Sequence, residues 1–507
     1  GYEANGRLAG AGIVHGGEEQ TFAYGYLAGS SLPSSLAMPN GIVRELAYEE
    51  HRDLAVAISC RLGGTALVSR SQSYDALGRP VTRTQQRGTE ATRTDSFSYN
   101  GRNELTGATL GTAPYGYSYD NIGNRKTARE LAEELSYAAN NLNQYTSIEE
   151  KAEAPFVPTY DASGNQTLIK TSTGIWTVVY NAANRAVSFT SQGGSTVVEC
   201  GYDYQGRRYM KKVTVNGTVV SHERYLYRGY LQLAALDMLD NRNVLRTLLW
   251  DPLEPVATRP LALVQENALY CYGVDFNKNV TEVFAGEGAI AATYDYSPYG
   301  QVVSTGDLVQ PVQWSSEMND VELALVYYNY RYYNPADGRW INRDPIAEEG
   351  GWNLYGFIEN VVINKYDGLG LKKGFTKTGD PCPKCCKGCE RSQERPVIKD
   401  AGTKGIDVKA SVESPMFTSK CEHNGTCNEN CCYVVYTWFD CYNKTCYSQT
   451  GDTFNRKVQP LRGVGRARSA LGVSVQAYKW CSCNKGKWEC HNVLLLSLIH
   501  ISEPTRP

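Results

Sequence analysis

Tyr74-Asp75-Ala76-Leu77-Gly78-Arg79 is the stretch that decides the fold, because its wording keeps returning. It comes back as Tyr99-Asn100-Gly101-Arg102, Tyr119-Asp120-Asn121-Ile122-Gly123-Asn124-Arg125 and Tyr137-Ala138-Ala139-Asn140. Three more copies follow: Tyr160-Asp161-Ala162-Ser163-Gly164-Asn165, Tyr180-Asn181-Ala182-Ala183-Asn184-Arg185 and Tyr202-Asp203-Tyr204-Gln205-Gly206-Arg207. Self-similarity at a spacing of roughly twenty residues is the mark of a repeat architecture.

One unit can be read physically. The tyrosine ends a strand, and Asp-x-x-Gly is a turn whose carboxylate bonds a backbone N–H two residues on. Glycine takes the left-handed position. The next strand leaves with alternating residues, as in Arg79-Pro80-Val81-Thr82-Arg83-Thr84. A hairpin of this kind cannot bury its apolar face alone, so it must pair edge to edge with its neighbours. The series therefore predicts an all-β chain built as one long, coiling antiparallel sheet. Thirty-six tyrosines fit strand faces that are half buried with a polar tip.

This wording resembles the YD repeats of RHS, teneurin and insecticidal toxin-complex C proteins, over roughly Ser71–Leu371. The resemblance implies a spiralling sheet of YD-repeat hairpins forming part of a hollow shell, with a small cysteine-rich C-terminal domain appended. Residues 1–70 then form the lead-in of a truncated shell, within which Asn40–Glu50 reads as either strand or short helix. Residues 71–293 hold the repeats and the strands that precede a core, among them Tyr225–Leu231 and Leu248–Pro252.

From Tyr294 the likeness becomes specific. Tyr294-Asp295-Tyr296-Ser297-Pro298-Tyr299-Gly300-Gln301, the aromatic run Val326–Pro335, Gly338-Arg339-Trp340-Ile341-Asn342-Arg343-Asp344-Pro345-Ile346 and Asp367-Gly368-Leu369-Gly370-Leu371 stand in order. They resemble the RHS repeat-associated core, here residues 294–371, which plugs the shell. In several members of that family the core is a self-cleaving aspartyl protease. Carried over by position, the resemblance implies Asp344 and Asp367 as the carboxylate pair, Arg343 as the residue that orients or tunes them, and a cut after Leu371. Two carboxylates can do this chemistry only when too close for both to ionise, one polarising the carbonyl and the other activating water. The chain departs from the family's wording in three places: Gly368 stands where proline usually follows the second aspartate, Ala347 stands where glycine is usual, and Val361 follows Asn360 where an Asn-Pro turn is usual.

Composition changes at the same boundary. Residues 1–371 hold 30 Lys and Arg against 41 Asp and Glu, whereas residues 372–507 hold 21 against 12. Thirteen of the 16 cysteines lie after Leu371. Residues 372–496 are thus expected to be a separate, variable passenger. Its Cys382-Pro383-Lys384-Cys385 and Cys386-Lys387-Gly388-Cys389 pairs suit structural zinc, while its Cys-Cys doublets and overall density suit disulfides in an exported module. Both readings stay open, and no metal ligand or cofactor is assigned. His423 and His491 make no catalytic constellation. The basic balance, with Arg462, Arg466 and Arg468 close together, leaves nucleic acid open as a target of the passenger and argues against it for the acidic shell.

The opening Gly1 suggests a fragment, and Ser497–Pro507 (SLIHISEPTRP) reads as a non-native tail over 497–507. No apolar run is long enough to span a membrane as a helix. The expectation is a bacterial β-shell that encloses and delivers its own C-terminal segment as a toxin, freed by aspartyl autoproteolysis. Its partners are then an immunity protein and secretion machinery, and its place is secreted, cell-surface or delivered into target cells by a secretion system. The rival is a wall-associated adhesion scaffold carrying a disulfide-rich module and no catalysis. A third reading, an inactive relic, follows from the altered Asp367-Gly368 wording.

Overall fold

The computed structural model describes residues 1–371 apart from Asn5, Ala152 and 254–257, and beyond them only backbone strands between Phe375 and His500. Contacts divide the chain into Gly1–Thr378 and Gly379–Pro507. In the second unit the backbone forms a three-stranded sheet, starting with Val397–Lys404, and a four-stranded one built on Cys431–Tyr442, Leu471–Asn484 and Lys487–His500. Its side chains, and with them the disulfide and zinc readings, lie outside the described residues.

The first unit is all-β, with only four short 3-10 turns among its described residues. Thirteen strands, from Gly10–His15 to Tyr145–Glu150, make one sheet; fourteen, from Thr159–Tyr160 to Val302–Gly306, make another. In both, the order across the sheet is the order along the chain, and the pairs are antiparallel.

Each repeat builds its turn as its residues dictate. Asp75 Oδ1 accepts from the Leu77 and Arg79 N–H groups, and Gly78 sits at φ +75°. The same bonds recur at Asn100, Asp120, Asn140, Asp161, Asn181 and Asp203. Where glycine is missing, Asn103, Asn143 and Asn184 take the left-handed position, which asparagine tolerates better than most residues.

The repeat tyrosine sits at a β-bulge: register shifts fall at Ser73/Tyr74, Ser98/Tyr99, Ser118/Tyr119, Val179/Tyr180 and Gly201/Tyr202. The extra residue turns the ring along the sheet, and the hydroxyl donates to a carbonyl at the start of the preceding strand. Tyr74 reaches Ala55 O at 2.7 Å, Tyr99 reaches Pro80 O at 2.8 Å, and Tyr202 reaches Ala186 O at 2.8 Å. The tyrosine tips are thus bonded to the neighbouring unit. Asn124 and Asn165 add a second link between units, each donating to its own aspartate and to the asparagine of the next turn. In one copy the register differs from the wording: the bulge falls at Ala138/Ala139, so Ala139 holds the tyrosine's place and Tyr137 is buried two residues earlier.

Residues 10–74 continue the first sheet as six strands, and Asn40–Glu50 contains one of them, Ile42–Tyr48. Tyr299 and the chain after Gly306 pack against both sheets. Tyr299, Trp314, Tyr328, Tyr333, Trp340 and Phe357 join Phe97, Tyr117 and Tyr145 of the first, while Tyr327, Tyr332 and Ile341 join Phe189, Val198 and Val213 of the second. A small sheet of Met318–Asp320, Leu325–Tyr328, Arg331–Asn334 and Arg339–Trp340 carries Tyr327, Tyr328, Tyr332, Tyr333 and Trp340. Tyr333 and Phe357 stack at 4.0 Å, and Trp340 meets both edge-on. Such geometry adds about 0.5–1.5 kcal/mol per pair beyond area burial.

Candidate active site

Asp344 follows the strand Arg339–Trp340, and its N–H donates to Leu354 O at 2.9 Å. Its Oδ1 accepts from the Ile346 N–H at 3.0 Å, the ordinary use of an aspartate before proline in a turn. Asp367 follows the short strand Lys365–Tyr366, and its Oδ1 accepts from the Leu369 and Gly370 N–H groups at 3.0 and 2.7 Å. One oxygen of each carboxylate therefore holds its own turn.

The other two oxygens converge. Arg331 Nη2 lies 2.9 Å from Asp344 Oδ2 and 3.7 Å from Asp367 Oδ2. Residues 23 apart in sequence are thus brought to a single guanidinium nitrogen, and all three side chains are almost wholly buried. A side chain at Gly350 would collide with the Asp344 carboxylate, so the close approach needs glycine there. Burial pushes the Asp344 carboxyl above the usual aspartate range; Arg331 opposes that shift and Asp367 adds to it.

Arg343 is placed elsewhere. It is exposed, with its stem against Gly164, where a Cβ would lie 2.5 Å from Arg343 Cδ, and it stands beside Tyr355. The arginine between the carboxylates is Arg331, which motif wording did not single out. A cleft of about 660 Å3 reaches the pair, lined by Arg331, Trp340, Asp344, Asp367 and the exposed Trp352. Behind Asp367 the buried Glu317 is pushed up to about 8, chiefly by burial and in part by Asp367; the Thr258 hydroxyl donates to it, and Lys278 lies 3.8 Å away. Among the described residues no three His, Cys, Asp or Glu side chains gather to hold a metal ion.

Ala347, the departure from glycine in the first aspartate motif, sits at φ +51°. An L-residue costs about 1–2 kcal/mol there, against about 0.5–1 kcal/mol of extra chain entropy lost by glycine. Ala347→Gly is expected to raise stability by about 0.5–1 kcal/mol in denaturant titration. A loss of stability would show that the alanine methyl makes a compensating contact.

The Teneurin YD-shell family pattern matches residues 50–361. The tRNA3(Ser)-specific nuclease WapA of Bacillus spizizenii is 25% identical over 264 residues, which is 50% of this chain and 10% of that protein. The toxin subunit YenC1 of Yersinia entomophaga is 29% identical over 127 residues, 23% of this chain and 12% of that one. Among solved structures, a TcdB2-TccC3-TEV chain superposes with a TM-score of 0.61 at 18% identity, covering 73% of this chain and 20% of its own length. The chain spans a tenth to a fifth of the length of these relatives. No helix among the described residues is long and apolar enough to cross a membrane, which says nothing of strands.

Proposed function

The chain belongs to the Teneurin YD-shell family, and from that premise we propose that it is part of a shell that encloses a toxin or effector and releases it by cutting its own backbone after Leu371. The observation that carries this reading is the convergence of Asp344 Oδ2 and Asp367 Oδ2 on Arg331, beside the segment that ends in Leu371. Relatives named as toxin subunit and nuclease support a toxic cargo.

In the proposed step the pair holds one proton. Asp344, whose carboxyl burial raises, keeps that proton and donates toward the Leu371 carbonyl oxygen. Asp367 takes a proton from water, whose oxygen bonds to the Leu371 carbon. Collapse breaks the C–N bond to Lys372, the amine leaving with a proton and Leu371 becoming a carboxylate. One acid and one base are needed in the same step, so the rate is expected to be bell-shaped in pH. The alkaline limb is expected above the ordinary aspartate range, following the upward direction at Asp344.

The experiment is expression of the intact chain. We expect a fragment whose mass ends at Leu371, and an uncut band for Asp344→Asn and for Asp367→Asn. A native chain that stays whole over days, as both variants do, would sink the autoproteolytic reading. The adhesion scaffold without catalysis is favoured by one observation, that Oδ1 of each carboxylate already serves a turn.

A further inference from the structure

We infer that Arg44 anchors a binding site for a small oxyanion, a carboxylate or a phosphate, where the two long sheets pack together. The inference is independent of the proposed self-cleavage.

Arg44 lies on Ile42–Tyr48 in the first sheet and is 5% exposed. Its cross-strand neighbours are the buried Leu36 and Cys60, which join a core shared with Leu261 and Ala262 of the second sheet. Neither neighbour supplies an anion, because burial pushes the Cys60 thiol up to about 11. Nε and Nη1 of Arg44 are sealed from solvent, and among the described residues nothing accepts a hydrogen bond from either.

The acid that acts most on Arg44 is Asp251, which follows Val244–Trp250 of the second sheet. Its Oδ1 is already engaged, accepting from the Tyr24 hydroxyl at 2.7 Å and the Leu253 N–H at 3.0 Å. Arg259, just before Pro260–Gln265, brings a second buried cation to the same place. Burial and then the Arg259 charge push the Arg44 guanidinium below its ordinary value, with Asp251 opposing.

Other buried arginines of this unit show what such a group requires. Arg70 and Arg87 share Glu282, and Arg208 holds Asp320. Arg125 and Arg339 donate to backbone oxygens and lie 3.8 and 3.6 Å over tyrosine rings. A buried charge left without a partner is among the costliest features a fold can keep. The ligand chemistry follows from the group itself. A guanidinium offers planar, paired donors that match a carboxylate or a phosphate. The nearby Tyr24 and Tyr48 hydroxyls already donate to Asp251 and to Pro33 O, so charge and the arginine fork do the selecting. Bound there, the anion joins strands of both sheets as Glu282 does, but from outside the chain.

The test is thermal unfolding of the full chain in sodium phosphate, sodium acetate and sodium chloride at matched ionic strength, with calorimetric titration of phosphate and acetate. Phosphate or acetate is expected to raise the midpoint over chloride by on the order of a few degrees at about a hundredfold excess over the dissociation constant. Whichever acts more strongly identifies a tetrahedral or a planar ligand. Arg44→Met should abolish the shift and unfold in chloride no earlier than the native chain, since it removes the charge that needs an anion. Arg44→Lys, keeping the charge without the fork, should retain a smaller shift. Phosphate and acetate no better than chloride would overturn the inference, as would a shift that survives Arg44→Met. Should Arg44→Met fail to fold, an undiminished shift in Arg44→Lys overturns it instead. Glu254, outside the described residues, is tested as an internal source. A response that appears only in Glu254→Gln would assign the anion to that side chain and refute the external ligand.

Discussion

Glu282→Gln is expected to destabilise the Gly1–Thr378 unit by about 3–5 kcal/mol, because it leaves the buried Arg70 without its anion and Arg87 with only Asp295. Glu282 is 0% exposed and lies on Val280–Phe284, a strand of the second sheet. Its Oε1 accepts from Arg70 Nη2 and, at 2.8 Å, from Arg87 Nε, both on strands of the first sheet. Arg87 continues to Asp295 at 2.7 Å, which Arg93 also reaches at 2.8 Å. Residues some two hundred apart are thus joined by charges, of which Arg70, Arg87 and Glu282 have almost no access to water. Burial acts to raise the Glu282 carboxyl, but Arg70 and Arg87 overcome it and hold it below the usual range. A carboxyl depressed in the folded state stabilises fully above its unfolded value of about 4.3. That contribution is lost as pH falls through the unfolded value toward the folded one. Native protein should therefore lose stability on acidification below about pH 4.3, and Glu282→Gln should show a flatter acid limb. Denaturant midpoints at several pH values check both points. The half-exposed pair Lys170–Glu153 is the control, where Glu153→Gln should change stability by no more than about 0.5 kcal/mol. A Glu282→Gln effect as small as the control would refute the argument.

What the sequence made legible is what local chemistry decides. An aspartate accepting from N–H groups two and four residues on needs no distant partner, so Asp75, Asp120, Asp161 and Asp203 could be read as turns directly. In the copy Tyr137–Asn140 the turn forms at Asn140, but the bulge falls at Ala138/Ala139, so the tyrosine stands two residues ahead of the bulge position. The strands before Ser71 lack the aspartate signal, yet Gly16-Gly17 and Gly63-Gly64 each join two of them with both residues at positive φ. Two-residue glycine turns of that kind are a hairpin signal in their own right.

The site divides along the same line. Asp344 and Asp367 could be carried over by wording, and the fold brings their Oδ2 atoms to one nitrogen. Arg343 adjoins Asp344 in the motif, yet its side chain lies against Gly164 and beside Tyr355. Arg331 reaches the pair through the packing of Arg331–Asn334 beside Arg339–Trp340, a tertiary fact with no sequence spacing attached. The left-handed backbone at Ala347 gives a physical reason for the glycine that the family usually has there.

Asp320→Asn should couple shell and site in one measurement, costing about 3–5 kcal/mol and slowing the proposed self-cleavage although no carboxylate of the pair is touched. Asp320 is 2% exposed and ends the strand Met318–Asp320, which pairs with Leu325–Tyr328 just ahead of the Arg331 turn. It accepts from both terminal nitrogens of Arg208, one at 3.1 Å, and from Lys211 at 3.2 Å, so the second sheet grips the core through it. Arg208 also donates to the Tyr332 hydroxyl at 2.7 Å and lies over the Tyr327 ring at 4.4 Å. Burial acts to raise Asp320, while Arg208 and Lys211 hold it below the usual range. Neutralising it strands the buried Arg208 against the strands that aim Arg331, and the hydrogen bond from Arg331 to Gly370 O should loosen with them. Lys211 keeps Glu322 at 2.8 Å, so most of the penalty belongs to Arg208. A double variant, Asp320→Leu with Arg208→Met, should then be more stable than Asp320→Asn alone, since an apolar pair leaves no charge unpaired. Its cleavage rate should recover in step. A double variant no better than the single one would mean that the ion pair carries geometry that packing cannot replace, and that the core is aimed by charge.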